Sequence, residues 1–412
     1  MSKKAFFFLR HNNDIDHITP VLYKWLESVD VQTNIIITTE RKLLNDFRIN
    51  FLKKYDNVNF FHIEDFFKKK NFSSIKAKFY FRHRYLFDKY YNKINFIKKY
   101  IDQIHKKIEK RLFDGVDNGL IVFDWVYDSL FVKHILNTAK KKNFTTVSLP
   151  HGDDPFINKM VHNNMLNYDF MKKRSDLDIY DYIVVPNKLV RKRYASIDKN
   201  KVKILGSPRF CDEWIKILSD IKPSFDFKEG KGKVKILVFL RSTGYSIFWD
   251  EVARTIKMMS QFPEIYLIVK HHPRGNALKK FEDVIDLSNV RHILDEIPSD
   301  TLMDWADLII DLGTSAIWEP IKKGKPVLAA DHLHANRSTA AYYIKESEIL
   351  YRDQLYDFLK EFVKNKNMTF YRSGGRERFI KEMIDVPDKN VLERYCKFLK
   401  ECLNESKKKR QN

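Results

Sequence analysis

Leu308-Ile-Ile-Asp-Leu-Gly-Thr-Ser315 and its continuation Ala-Ile-Trp-Glu319-Pro-Ile-Lys-Lys-Gly-Lys-Pro326 read as a buried strand, a turn at Gly313, and a helix starting near Thr314 or Ser315. The strand is apolar at every position before Asp311, as expected for a parallel strand covered on both faces. Upstream, Ile265-Tyr-Leu-Ile-Val-Lys-His-His-Pro-Arg-Gly275 repeats the form: an apolar run ends abruptly in Lys270, His271, His272 and Arg274. Two such strands, each closing on polar chemistry, predict an open α/β sheet whose ligands bind beyond the carboxyl ends of the strands.

The same rhythm extends in both directions. Lys235–Leu240, Val290–Ile293 and Pro326–Ala330 complete a second set of predicted strands. Toward the N-terminus, Lys4–Leu9, Thr33–Thr39, Val58–His62, Leu120–Phe123, Thr145–Leu149 and Tyr182–Val185 alternate with helical periodicity, beginning β-α-β with a helix over Ile18–Ser28. Between the sets, Ser219–Lys233 is polar, holds Pro223, Gly230 and Gly232, and reads as a linker. The chain therefore divides into an N-terminal α/β domain (1–218), a linker (219–233), a second α/β domain (234–386) and a C-terminal helix with a basic tail (387–412). Two Rossmann-like domains in tandem with a cleft between them describe the GT-B architecture.

Composition narrows the chemistry. The chain has 412 residues, 44% hydrophobic and 14% aromatic, enough to bury two cores. It contains no apolar run of membrane-spanning length, and its start is charged too soon for a signal peptide, so a cytoplasmic location is expected. The three cysteines, Cys211, Cys396 and Cys402, match no zinc or redox spacing. No Gly-x-Gly-x-x-Gly or Walker A sequence occurs, which argues against a dehydrogenase or P-loop ATPase. The net charge of +21 calls for acidic partners. Its densest source is Phe66–Arg111, with fifteen Lys and Arg against three acids, interleaved with Phe and Tyr. That mixture suits an anionic membrane surface or a solvated helical face. With no recognisable module, nucleic acid is not expected as a partner.

The strand-end motifs suggest charge stabilisation. His272, beside Lys270 and Arg274, would steady a phosphate leaving group whose negative charge grows as its bond breaks. Backbone N–H groups at the N-terminus of the helix after Gly313, with the hydroxyls of Thr314 and Ser315, would hold phosphate oxygens, and Glu319 one turn on would take ribose hydroxyls. An ordinary N-cap explains Thr314 equally well in isolation. In the N-terminal half, His151-Gly-Asp-Asp154 follows a strand, placing Asp153 or Asp154 as base or nucleophile, or as a simple turn. Asp14, Asp16 and His17 after the first strand form a rival set on the acceptor side, together with His151. No metal or cofactor is expected, Asp14-Ile-Asp16 being the nearest approach to an Asp-x-Asp motif.

Taken together, Lys270-x-His272-Pro273, Asp311-x-x-Thr314-Ser315 and Gly324-Lys-Pro-Val327 resemble the nucleotide-binding domain of surface-polysaccharide transferases. Two groups share that pattern: CMP-sugar enzymes such as capsular Kdo transferases and bacterial sialyltransferases, and CDP-glycerol glycerophosphotransferases. Gly206-Ser-Pro-Arg209 and the His151-Gly152 loop are similar to segments of the same enzymes, and Gly313 departs from the Tyr frequent in the glycerophosphotransferases. The resemblance implies a glycosyltransferase of capsule or lipopolysaccharide assembly on the inner face of the cytoplasmic membrane. A cytidine donor such as CMP-Kdo would bind at Lys270, His272, Pro273, Arg274, Gly313, Thr314, Ser315 and Glu319. His272 and Asp153 or Asp154 would be catalytic, and a glycan or lipid-linked glycan would be the acceptor. A polyol-phosphate transferase and a non-catalytic transferase-like subunit are the alternatives.

Overall fold

The computed structural model describes residues 3–67, 78–127, 129–152, 156, 174–272, 277–284, 286–294 and 297–408. The chain divides into two compact units, one of Met1–Asp153, Lys173–Ile221 and Asp385–Asn412, the other of Asp154–Lys172 and Lys222–Ile384.

The first unit is a seven-stranded parallel sheet of β1 (Lys4–Leu9), β2 (Thr33–Ile37), β3 (Val58–His62), β4 (Gly119–Asp124), β5 (Phe144–Leu149), β6 (Tyr182–Val185) and β7 (Val202–Ile204). Their spatial order is β3-β2-β1-β4-β5-β6-β7. The chain thus moves outward from β1 to β3, then returns to the far side of β1 with β4, making a switch point between β1 and β4. Alternate residues of β1 feed separate cores. Ala5, Phe7 and Leu9 pack with the helix Asn12–Ser28, whereas Phe6 and Phe8 pack with Ile101, Ile104 and Ile108 of the helix Asn95–Leu112.

The second unit holds β8 (Val234–Phe239), β9 (Ile265–Lys270), β10 (Val290–Ile293), β11 (Leu308–Asp311), β12 (Val327–Ala330) and β13 (Glu348–Ile349), ordered β10-β9-β8-β11-β12-β13. The ladders are parallel, and the switch point lies between β8 and β11.

Most elements anticipated from apolar runs appear at or within a residue or two of their expected limits. β7 and β13 were not anticipated, being too short to show a pattern. The first helix reaches back to Asn12, past Pro20, so Asp14, Asp16 and His17 stand on a helix rather than in a loop. Ser219–Ile221 form the last turn of the helix Asp212–Ile221 instead of opening the linker, with Trp214 buried beneath them. The C-terminal helix Val391–Lys408 joins the first unit, where Leu392, Tyr395, Cys396, Leu399 and Leu403 enter the same core as β1. All three cysteines are buried thiols and none is in a disulfide. Among the described residues no helix is long and apolar enough to cross a membrane.

Candidate functional site

At the switch point of the first unit, three neighbouring strand ends bring four side chains together. Arg10 follows β1, Asp124 ends β4 and His151 follows β5, while Asp14 stands in the first turn of the helix after β1. Asp14 is fully buried and accepts the backbone N–H groups of Arg10 at 2.6 Å and His11 at 3.0 Å, which fixes its carboxylate. The Arg10 guanidinium grips both oxygens of the buried Asp124, with Nε 2.8 Å from Oδ1. His151 Nδ1 lies 2.7 Å from Asp14 Oδ1 and 3.2 Å from Asp124 Oδ2.

The electrostatics follow from these contacts. Burial alone would lower the His151 pKa, but hydrogen bonds to Asp124 and Asp14 outweigh it and raise the value to about 9. Burial likewise disfavours ionised Asp124, and the His151 and Arg10 hydrogen bonds overturn this, holding it below the usual carboxylate range. His11, its ring 6.4 Å from that of His151, is shifted the other way: burial lowers it, Asp14 opposes, and Arg10 and His151 lower it further. The site therefore pairs an imidazolium, held at neutral pH, with a neutral imidazole. Asp14, Asp124 and His151 each offer a ligand atom within 4.8 Å of the others. Arg10 and His151 balance the charge of the two carboxylates.

The switch point of the second unit carries its own polar cluster. Asp311, wholly buried at the end of β11, accepts the N–H groups of Gly313 at 2.8 Å and Thr314 at 2.9 Å. Desolvation raises its pKa to about 7 against the pull of the Thr314 N–H, Arg241 and the Gly313 N–H. Gly313 has φ +81°, and a Cβ there would lie 3.2 Å from His334 Cε1, 3.3 Å from Arg241 Nη1 and 3.4 Å from His334 Nε2. Both nitrogens are buried and have no hydrogen-bond partner among the described residues. Arg241 follows β8 and stacks on Tyr245 at 4.8 Å. His334 accepts the Asn336 N–H through Nδ1 at 3.1 Å, which leaves Nε2 to carry the proton. Burial, with Arg241 adding to it, lowers the His334 pKa to about 4. Two donors thus flank the space above Gly313, and Asp331, whose pKa burial raises to about 7, has Oδ1 3.6 Å from His334 Nε2.

The other residues anticipated from the sequence fall as follows. Three N–H groups here are already taken within the chain: Asp311 accepts those of Gly313 and Thr314, and the Thr314 hydroxyl accepts that of Ala316 at 3.2 Å. The helix starts at Ser315, as expected, with a 3₁₀ turn over Ser315–Ile317 that passes into Trp318–Lys322. Glu319 is buried and paired with Lys323 at 2.7 Å. Lys270 is buried with Nζ on the Leu294 carbonyl at 2.7 Å, and His271 is buried against His292 at 2.9 Å, leaving His272 half-buried at that strand end. Asp16 is held by Arg48 and, at 3.0 Å, by Arg209. His17 is buried edge-on to Phe210. Asp153, Asp154, Pro273 and Arg274 lie outside the described residues. Sequence reasoning missed roles for Arg10, His11, Asp124, Arg241 and His334. All of them follow or end an anticipated strand, so strand-end position was the available signal.

No family model and no curated protein matches the chain. Solved structures do. UDP-GlcNAc 2-epimerase from Neisseria meningitidis, bound to UDP-GlcNAc, aligns over 98% of this chain and 100% of its own at a TM-score of 0.57 and 13% identity. A glycosyltransferase from Rickettsia africae aligns over 98% and 99% at 0.53 and 16%. Anabaena HepE, in complex with UDP and glucose, aligns over 97% and 100% at 0.54 and 10%. With its two parallel sheets and these likenesses along nearly the whole chain, the protein has the two-domain, Rossmann-like GT-B fold.

Proposed function

We propose that this protein is a nucleotide-sugar-dependent glycosyltransferase. The observation that carries this reading is the pair of buried donors, Arg241 Nη1 and His334 Nε2, beside Gly313 at the switch point of the second sheet. They suit the phosphate of a nucleotide donor, and they would meet the negative charge that develops as the sugar–phosphate bond breaks. His272, Ser315 and Glu319 remain candidates for the rest of the nucleotide. In the first unit, neutral His11 is the candidate acceptor of the proton from the attacking hydroxyl. His151 is held as a cation by Asp14 and Asp124, and Asp153 or Asp154 stays a candidate for orienting the acceptor. Support for a nucleotide sugar comes also from fold mates whose structures contain UDP-GlcNAc, or UDP with glucose.

The motif resemblance favours a cytidine donor such as CMP-Kdo and a capsule or lipopolysaccharide glycan as acceptor, with CDP-glycerol as the competing donor. A thermal-shift panel of CMP, CDP, UDP and GDP tests the donor, since a ligand that binds the native state alone raises its stability. Stabilisation by a cytidine nucleotide that Arg241→Ala abolishes is the expected result. Preference for UDP would replace the cytidine assignment, and no response to any nucleotide would sink the reading. Mass spectrometry of products then separates transfer from epimerisation of the free nucleotide sugar.

A further inference from the structure

We propose that the helical hairpin of Arg84–Tyr90 and Asn95–Leu112 docks this protein on an anionic lipid bilayer surface. The later helix commits one face to the fold, burying Ile101, Ile104, Ile108 and Leu112. At its start, in the preceding helix and in the stretch just before that helix, the pattern reverses. Phe79 (55% exposed), Leu86 (53%), Tyr90 (38%), Ile94 (45%) and Phe96 (75%) stand in solvent, five of the eleven large apolar side chains so exposed among the described residues. Water-exposed apolar groups concentrated at one hairpin tip mark a surface that is covered in use.

Charge identifies the cover. From Lys78 to Arg111 there are eleven Lys and Arg and three acids. Each acid has an internal partner: Asp88 accepts from Tyr80 and the Leu130 N–H, Asp102 from Tyr91, and Glu109 pairs with His134. The segment keeps a net charge of +8. Lys89 and Lys93 lie within 6.0 Å of the Tyr90 ring and Lys98 within 5.9 Å of Tyr91, so ammonium groups sit beside rings and aliphatic tips. Rings and aliphatic groups at headgroup depth, with cations against anionic lipid, match an interfacial contact. Leu86 and Ile94 offer no π-face for stacked bases, which disfavours nucleic acid. A second copy would set like charges against one another.

Flotation of the full chain with phosphatidylcholine vesicles, with and without phosphatidylglycerol, at low and high salt, tests the proposal. Binding should require phosphatidylglycerol and weaken with salt. The paired changes Ile94→Ser with Phe96→Ser, and Lys93→Glu with Lys98→Glu, should each weaken it more than about tenfold. These side chains make few internal contacts, and Phe225→Ser, at a comparably exposed ring elsewhere, should leave binding unchanged. The proposal is overturned if the unmodified chain stays with the protein fraction, if the paired changes leave flotation intact, or if the patch instead drives vesicle-free self-association that Phe96→Ser removes. None of these outcomes depends on the donor, so the glycosyltransferase reading can fail while this one stands.

Discussion

His151 Nδ1 lies 2.7 Å from Asp14 Oδ1, although 137 residues separate the two in the chain. The contact exists because β1, β4 and β5 are neighbours in the sheet, so the residues after β1 and β5 meet around the end of β4. It also sets the charge of the imidazole. The folded pKa, raised to about 9, lies above the ordinary value of about 6.5. The stabilisation from protonated His151 is therefore complete below the ordinary value and is lost as pH rises through about 9. Transfer activity should fall across the same upper limb. His151→Gln should lower turnover by about 10²–10⁴-fold while leaving the nucleotide-induced thermal shift in place. A pH profile flat to pH 10 in the unmodified protein, about one unit beyond that limb, would remove His151 from the mechanism.

Arg10 is the structural counterweight to Asp124. The carboxylate is fully buried and the guanidinium reaches both of its oxygens. Removing one partner of such a pair leaves a buried charge uncompensated, at a cost of about 3–5 kcal/mol. Urea unfolding of Arg10→Ala should show a loss in this range, with Arg10→Lys recovering part of it. A loss below about 1 kcal/mol would mean that His151 alone can hold the carboxylate.

Gly313 is required both for its backbone and for its missing side chain. At φ +81° an alanine is strained, and its Cβ would occupy the space beside Arg241 Nη1 and His334 Nε2. Gly313→Ala should destabilise the second unit by about 1–3 kcal/mol and weaken nucleotide binding beyond what the stability loss explains. Calorimetric titration at a temperature where the variant is fully folded separates the two effects; unchanged affinity there would place the phosphate elsewhere.

The sheets were legible because parallel strands buried on both faces must be apolar throughout, and runs such as Ile265–Lys270 and Leu308–Asp311 carry that requirement visibly. The sites were legible only in part. Local motifs drew attention to Asp14, His151, Asp311 and Gly313, but strand order decides which strand ends meet, and one sequence does not reveal that order. Asp124 and Arg241 thus looked like ordinary residues at the ends of two strands. At the helix start after Gly313, sequence shows the N–H donors without showing that the Thr314 hydroxyl occupies that of Ala316. Lys270 was misleading for a related reason: a lysine at a strand end can cap a neighbouring carbonyl, as it does at Leu294.

Asp311 yields the last prediction. Its folded pKa of about 7 lies well above the ordinary carboxyl value of about 3.9, because desolvation exceeds the help from the Thr314 N–H, Arg241 and the Gly313 N–H, and Asp331 adds to the rise. The folded state therefore binds this proton more tightly than the unfolded state does. Its stabilising contribution is present below the ordinary value and is lost as pH rises through about 7, by up to about 1.4 kcal/mol per pH unit within the window. Asp311→Asn cannot titrate and keeps one oxygen to accept the turn's N–H groups. Measured by denaturant unfolding between about pH 4.5 and 7, the variant should gain on the unmodified chain as pH rises. Asp311→Ala, which leaves both N–H groups without that acceptor, should be less stable than Asp311→Asn throughout, by about 1–3 kcal/mol. Parallel stability curves for the unmodified chain and Asp311→Asn would show that the carboxyl is already ionised at the lower pH and that the turn depends on its charge.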